Sequence, residues 1–179
     1  MQPQLTVPVS ETRDHILGPA GAPITLVEYG DFECPHCGAA HEMIQQLREE
    51  AGPRLRFVYR HFPLTQIHPH AEPAAEAAEA AASQQRFWQM HDMLFTHQDA
   101  LDDTDLVAYA EEIGLERRSF VAALARHAHA PRVREDFLSG VRSGVNGTPT
   151  FFLNGVRYDG PRDRDSLLEA MDVAIGTRR

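Results

Sequence analysis

Apolar and polar positions change their period several times along the chain. Ile24-Thr25-Leu26-Val27-Glu28-Tyr29 is a short β-rich run that stops at Gly30-Asp31, the pattern of a buried strand. Met43, Ile44 and Leu47 then recur at helical spacing up to Gly52-Pro53. Leu55-Arg56-Phe57-Val58-Tyr59-Arg60 alternates like a second strand until Pro63. A strand, a helix and a strand in this order predict parallel pairing with a right-handed crossover.

From about Gln66 to Asn146 the period is helical throughout. Ala74 to Ala82 is almost pure Ala and Glu, with Pro73 suited to the first helical position, where the N–H it lacks has no partner to lose. A second helix carries Phe87, Trp88, His91, Leu94 and Phe95, which makes His91 a core or rim residue. A third runs from a Thr104 cap through Leu106, Val107 and Ala110 to Ile113, with Gly114 as its stop. A fourth holds Phe120 and Leu124, and a fifth starts at Pro131 with Val133, Phe137, Leu138 and Val141. No single one of these can bury its own stripe, so they are expected to form one bundle.

Strands return after Gly147. Thr150-Phe151-Phe152-Leu153, then Asn154-Gly155, then Val156-Arg157-Tyr158 reads as a hairpin, because Asn-Gly suits a type I′ turn. A last helix places Leu167, Leu168, Met171 and Ile175 on one face and stops at Gly176, and Arg178-Arg179 reads as a solvated end. The order βαβ, five helices, ββα predicts an α/β fold. Residues 1–65 and 147–179 would form one discontinuous domain, and residues 66–146 a helical insertion. No internal repeat or Gly/Ser linker interrupts this scheme.

Charge narrows the classes of partner. With 17 basic and 26 acidic residues the net charge is −9, a field that repels phosphate backbones and argues against nucleic-acid binding. No apolar run approaches the roughly 18 residues that cross a bilayer, so no membrane insertion is expected. The N-terminal Met1-Gln2-Pro3-Gln4-Leu5 has neither a basic stretch nor an apolar core. As written the chain reads as a cytoplasmic monomer. An exported protein trimmed of its leader would read the same way.

Both cysteines lie in Cys34-Pro35-His36-Cys37. Two cysteines are no disulfide framework, and without a second CxxC no Cys₄ zinc ribbon can form. A redox pair, a mixed Cys/His metal site and two inert thiols remain. Cys34 falls where a loop hands over to a helix, so unpaired N–H groups and the positive dipole end favour its thiolate, which is the nucleophile. Pro35 suits the first helical turn, His36 adds a group that can be cationic near the sulfur, and Cys37 sits one turn on as resolving thiol. These positions predict a partly exposed Cys34 and a largely buried Cys37. In the metal alternative, Cys34, Cys37 and His41 have C-x₂-C-x₃-H spacing but no evident fourth ligand; otherwise His41 reads as a surface residue. Glu28 would share a strand face with Ile24 and Leu26, where an unpaired charge is costly, unless its strand lies at an edge. His68-Pro69-His70 reads as shaping the entrance to the bundle. In Gly147-Thr148-Pro149-Thr150 a proline enters an internal strand and removes a ladder donor. A cis bond would explain it, by turning the backbone of Thr148 outward as an edge for an extended peptide.

Glu28-Tyr29-Gly30-Asp31-Phe32-Glu33-Cys34-Pro35-His36-Cys37, the helical stretch, and Gly147-Thr148-Pro149-Thr150-Phe151-Phe152 together resemble the DsbA-like branch of the thioredoxin superfamily. The likeness runs from about Asp14 to Met171. It implies a thioredoxin fold with an all-helical insertion and a thiol–disulfide oxidoreductase. Cys34 would be the nucleophile, Cys37 the resolving thiol, and Pro149 a cis-proline facing them. The buried acid six positions before the nucleophile falls on Glu28, with a role in proton transfer at the buried thiol. No cofactor is implied, since the electrons reside in the cysteine pair. Partners would be thiol- or disulfide-containing polypeptides and a separate redox partner. His36 favours an oxidase; a cytoplasmic setting favours a reductase or isomerase. The family spans about −270 mV (thioredoxin) to about −120 mV (DsbA). Glutathione-dependent enzymes on a similar scaffold would not need Cys37.

Overall fold

The computed structural model describes residues 2–176, so the Arg178-Arg179 end lies outside the described residues. The two runs at the start become neighbouring strands. β2 (Ile24–Gly30) and β3 (Leu55–His61) pair in parallel over their whole length. The crossover between them is α1 (Pro35–Ala51), closed by a 3-10 turn at Gly52–Arg54. β4 (Thr150–Leu153) pairs antiparallel with β2, and β5 (Val156–Tyr158) with β4. Between β4 and β5, Asn154 and Gly155 have φ of 49° and 85°, the left-handed pair that a type I′ turn requires. One strand has no signal in the sequence: β1 (His15–Leu17) lies antiparallel on the outer edge of β3, giving the order β1-β3-β2-β4-β5. Three residues are too few to display a period.

β2 is central, and its alternation sends residues to two buried faces. Ile24 and Leu26 join Leu55, Phe57 and Phe151 in the main core, which also takes in Cys37, Ile44 and Leu47 of α1. Val27 and Tyr29 join Val58, Phe62, Val145 and Phe152 on the opposite face. There Leu5, Val9 and Phe137 cover the sheet from outside. Glu28, on the face of Ile24 and Leu26, is therefore buried in a central strand, which removes the edge-exposed reading.

Five helices follow β3: α2 (Ala71–Ala82), α3 (Phe87–Thr96), α4 (Asp103–Glu112), α5 (Arg117–Ala125) and α6 (Ala130–Arg142). α7 (Arg164–Gly176) closes the described chain and packs on α1. The small side chains of α2 let α3, α5 and α6 approach it together, and most of its residues are buried. Two boundaries differ from expectation. α2 begins at Ala71, so Pro73 is third rather than first; its missing N–H still belongs to the unpaired first turn. The cap of α4 is Asp102 rather than Thr104, and the Asp102 N–H donates to the Asp105 carboxylate at 3.1 Å. His41, expected at the surface, is buried, with its ring 5.3 Å from that of His91 and 5.1 Å from that of Phe95. His91 is a core residue, as its helix position implied.

The segment before β1 is tied down by a buried arginine. Arg60 on β3 has no exposed surface and donates to both Asp14 carboxylate oxygens, at 2.8 and 3.0 Å. It also donates to the Val7 carbonyl at 2.9 Å and the Tyr29 hydroxyl at 3.0 Å. Arg13 and Arg132 both pair with buried Asp136 at 2.7 Å, and Asp136 accepts the His61 N–H at 3.1 Å. Sheet, α6 and N-terminal segment are thus joined by charge-assisted bonds out of water.

Candidate functional site

Cys34 is the N-cap of α1, with extended backbone (φ −74°, ψ 121°), and Pro35 occupies the first turn. Its carbonyl accepts from the N–H groups of Cys37 and Gly38 at 3.0 and 3.1 Å. Its sulfur therefore sits among first-turn N–H groups. The Cys34 thiol is brought down to about 5. The largest cause is the hydrogen bond from the Cys37 thiol, opposed by burial and helped by the Thr148 hydroxyl and the backbone N–H groups of Cys37 and His36. His36 acts on the sulfur through its backbone; its ring is exposed and makes no hydrogen bond among the described residues. Cys37 is pushed up, first by burial and then by its bond to Cys34 and the nearness of Glu28. The pair is thus polarised into one ready thiolate and one firmly held thiol. Cys37 keeps none of its surface, in line with its expected burial, whereas Cys34, expected to be partly exposed, keeps only 4%.

Opposite the pair, the Thr148–Pro149 peptide bond is cis. The Cys34 sulfur lies 3.6 Å from the Thr148 carbonyl oxygen, to which the thiol donates. Thr148 itself is buried. These contacts place Thr148 against Cys34 across a separation of 114 residues.

Beneath α1, burial pushes Glu28 up to about 8, with the Cys34 charge adding to the effect. Its Oε1 has no hydrogen-bond partner among the described residues, and neither has the hydroxyl of Tyr59, its in-register neighbour on β3. Tyr59 had no mark in the sequence beyond its strand position. Its hydroxyl lies against the backbone of Gly30, where a Cβ would come within 2.9 Å of it. A glycine there opens the room the phenol occupies.

Three further residues that the sequence did not single out fix the cysteine loop. Asp31 accepts the Glu33 N–H at 2.8 Å, the Leu64 N–H at 2.9 Å and His68 Nδ1 at 2.8 Å. Its own N–H reaches the Cys37 sulfur at 3.5 Å. Glu33 accepts the His70 N–H at 2.6 Å, so His68 and His70 do shape the entrance to the helices, by binding the loop before Cys34. From the segment after α3, Gln98 Nε2 donates to the carbonyls of Phe32 at 2.8 Å and Cys34 at 2.9 Å. A Cβ at Gly38 would collide with that Gln98 amide, so a glycine in the first turn of α1 admits it.

Among the described residues, two groups could gather three ligand atoms: His15, His61 and Glu79, and His41, His91 and Asp92. Neither contains a cysteine, so Cys34, Cys37 and His41 do not converge as metal ligands. In the first group Glu79 Oε1 already meets His15 Nε2 at 2.7 Å and His61 Nε2 at 2.8 Å.

A CxxC that follows a parallel strand and opens a helix, set against a cis-proline, defines a thioredoxin-class site. The chain belongs to the thioredoxin family: a family model described as Thioredoxin matches residues 10–173. Its fold is that of the DsbA-like members. It superposes on alpha-DsbA1 of Wolbachia pipientis with a TM-score of 0.82 at 22% identity, covering 97% of this chain and 95% of that one. It superposes on a thioredoxin-like oxidoreductase from Silicibacter pomeroyi DSS-3 with a TM-score of 0.77 at 29% identity, covering 92% and 93%. In sequence it is 47% identical over 175 residues to a Na(+)/H(+) antiporter NhaA 3 of Salinispora tropica. That match covers 98% of this chain but 27% of the antiporter, so the chain spans about a quarter of the length of this relative.

Proposed function

We propose that this DsbA-like thiol–disulfide oxidoreductase exchanges a Cys34–Cys37 disulfide with cysteine-containing polypeptides and works as an oxidase. The observation that carries the reading is the polarised pair: a thiol at about 5 at the helix start beside one pushed up by burial. A substrate thiolate attacks Cys34, the disulfide breaks, and Cys37 leaves and takes a proton. A second substrate thiolate then attacks the substrate sulfur of the mixed disulfide and releases Cys34 as thiolate. The substrate loses two electrons to the cysteine pair, and a separate oxidant restores it. A low thiol pKa stabilises the leaving Cys34 and so makes the disulfide more oxidising. Thr148 offers its backbone to an extended substrate beside Cys34, and Glu28 is the group that exchanges the proton of Cys37.

A redox titration against glutathione tests the direction. An oxidase requires a potential nearer about −120 mV than about −270 mV, and the lower value would make the chain a reductase. Oxidase action requires an oxidising compartment, so an exported location goes with this reading. Among the described residues no helix is long and apolar enough to cross a membrane. The match to a quarter of an antiporter supports a working place beside a membrane transporter rather than transport by this chain.

Two measurements check the assigned roles. Iodoacetamide at pH 6 is expected to modify Cys34 first in the reduced protein, read by peptide mass mapping; earlier labelling of Cys37 would reverse the roles. Glu28 gives a pH signature in stability. Its pKa rises from 4.5 unfolded to about 8 folded, so between these values the folded state holds a proton that the unfolded state has lost. The Glu28 contribution therefore weakens the fold as pH climbs through this window, at most about 1.4 kcal/mol per pH unit. Urea unfolding of Glu28→Gln is expected to lack that slope. Parallel curves for the variant and the natural protein would show that Glu28 is ionised in the fold.

A further inference from the structure

His41 on α1 and His91 and Asp92 on α3 bring three ligand atoms within 4.8 Å of one another. The two histidines are buried, while the Asp92 side chain keeps 54% of its surface, so the group opens to solvent at its carboxylate. Asp92 Oδ1 stands 3.0 Å from His91 Nδ1 and 3.8 Å from His41 Nε2. Two ligands about 2.1 Å from a common ion lie about 3.0–3.4 Å apart, so the first spacing fits as it is and the second closes with a small turn of Asp92. Both rings present lone pairs to this point. Gln45 Nε2, a donor, lies 3.1 Å from His41 Nε2, which makes that nitrogen the acceptor of its ring. His91 Nε2 is buried with no hydrogen-bond partner among the described residues. The rings of Tyr59, Trp88 and Phe95 stand steeply tilted to His91 at 4.8, 5.0 and 5.0 Å. Ring faces accept an N–H weakly and offer a lone pair nothing, which favours the proton on Nε2. His91 Nδ1 and the Asp92 carboxylate are then two acceptors 3.0 Å apart, an arrangement that calls for a cation between them. Burial lowers His41 and takes His91 down to about 4, so neither ring supplies that charge near neutral pH. Glu42 and Arg48, the charged neighbours on α1, act on His41 in opposite senses.

We propose that His41 Nε2, His91 Nδ1 and the Asp92 carboxylate bind one divalent transition-metal ion of the zinc class, fastening α1 to α3 one turn beyond Cys37. Two imidazoles and one carboxylate suit such a cation, whereas magnesium and calcium take oxygen ligands. Water takes the fourth position on the solvent side, where the exposed Gln45 side chain moves aside. The site uses neither sulfur, so it is separate from the exchange chemistry and holds in both redox states of the cysteine pair.

The test uses the full chain with the Cys34–Cys37 disulfide formed, so that neither sulfur competes for metal. Equilibrium dialysis against zinc chloride is expected to load one zinc per chain, retained in excess magnesium. NMR of the histidine ring nitrogens identifies the ligands without any substitution: His41 Nε2 and His91 Nδ1 are expected to shift on loading, while His15 and His61 stay in place. Asp92→Asn changes only the exposed ligand. It is expected to weaken zinc binding at least about tenfold, since loss of a supporting partner behind a metal ligand already costs about 10–100-fold. Disulfide exchange by the metal-free variant is expected to match that of the natural protein. Shifts confined to His15 and His61, or to exposed histidines such as His36 and His97, would overturn the proposal. So would an unaltered affinity in Asp92→Asn, or displacement of the zinc by magnesium.

Discussion

Cys34→Ser is expected to reduce oxidation of a peptide dithiol by at least about a thousandfold, because it removes the sulfur proposed to form the mixed disulfide. Cys37 cannot take over: it has no exposed surface, and burial and its neighbours hold it as a thiol. The companion variant Cys37→Ser keeps the Cys34 thiol, with a hydroxyl in place of the thiol that hydrogen-bonds it, and lacks the group proposed to resolve, so it is expected to accumulate a mixed disulfide with a peptide disulfide. Both outcomes are read by thiol counting and intact mass. Residual turnover of Cys34→Ser above one hundredth of the natural rate would show that another group reacts.

The largest stability effect is expected at Arg60. Arg60→Met leaves the Asp14 carboxylate buried with two hydrogen bonds removed, and also strips a donor from the Val7 carbonyl. Breaking one side of such a pair costs about 3–5 kcal/mol, whereas replacing both sides with apolar groups can be nearly neutral. Urea unfolding should thus show a loss of that order for Arg60→Met and a partial recovery in Arg60→Met/Asp14→Leu. A loss under 1 kcal/mol would mean that Arg13, which also donates to Asp14 at 2.9 Å, or solvent compensates the carboxylate when Arg60 is gone. The ion pair also has a pH signature. Asp14 lies below the usual carboxylate range, held there by the Arg60 hydrogen bond and the Ser10 N–H against the opposing effect of burial. Its contribution is present above the unfolded carboxylate pKa and is lost as pH falls through the folded one.

The elements with strong local codes were legible in the chain. Asn154-Gly155 specifies its own turn, the alternation from Ile24 specifies a strand, and Cys34-Pro35 specifies a helix start, because each effect acts within a few residues. The features without a local signal are held by contacts between distant residues. β1 exists because β3 offers it an edge, not because three residues favour extension. His41 reads as polar surface on α1, and it is the rings of His91 and Phe95 on α3 that enclose it. Tyr59 gains its meaning from standing beside Glu28, a matter of strand register that composition cannot reveal. The cysteine motif is a local signal, while its supports, Asp31 and Gln98, are ordinary polar residues until the fold brings them to the loop.

Gln98 bears on how this architecture can be taken apart. Its amide reaches across 64 residues to the Cys34 carbonyl and fills the space that Gly38 leaves open. Deleting the helical stretch would therefore do more than shorten the molecule: the Phe32 and Cys34 carbonyls would lose the Gln98 amide as a donor, and the first turn of α1 would lose its brace. A minimal version grafted from the strands and α1 alone is not a smaller enzyme with the same reactivity. The helices and the cysteine loop are joined by these hydrogen bonds, so a change of helix position is felt directly at the peptide group of Cys34.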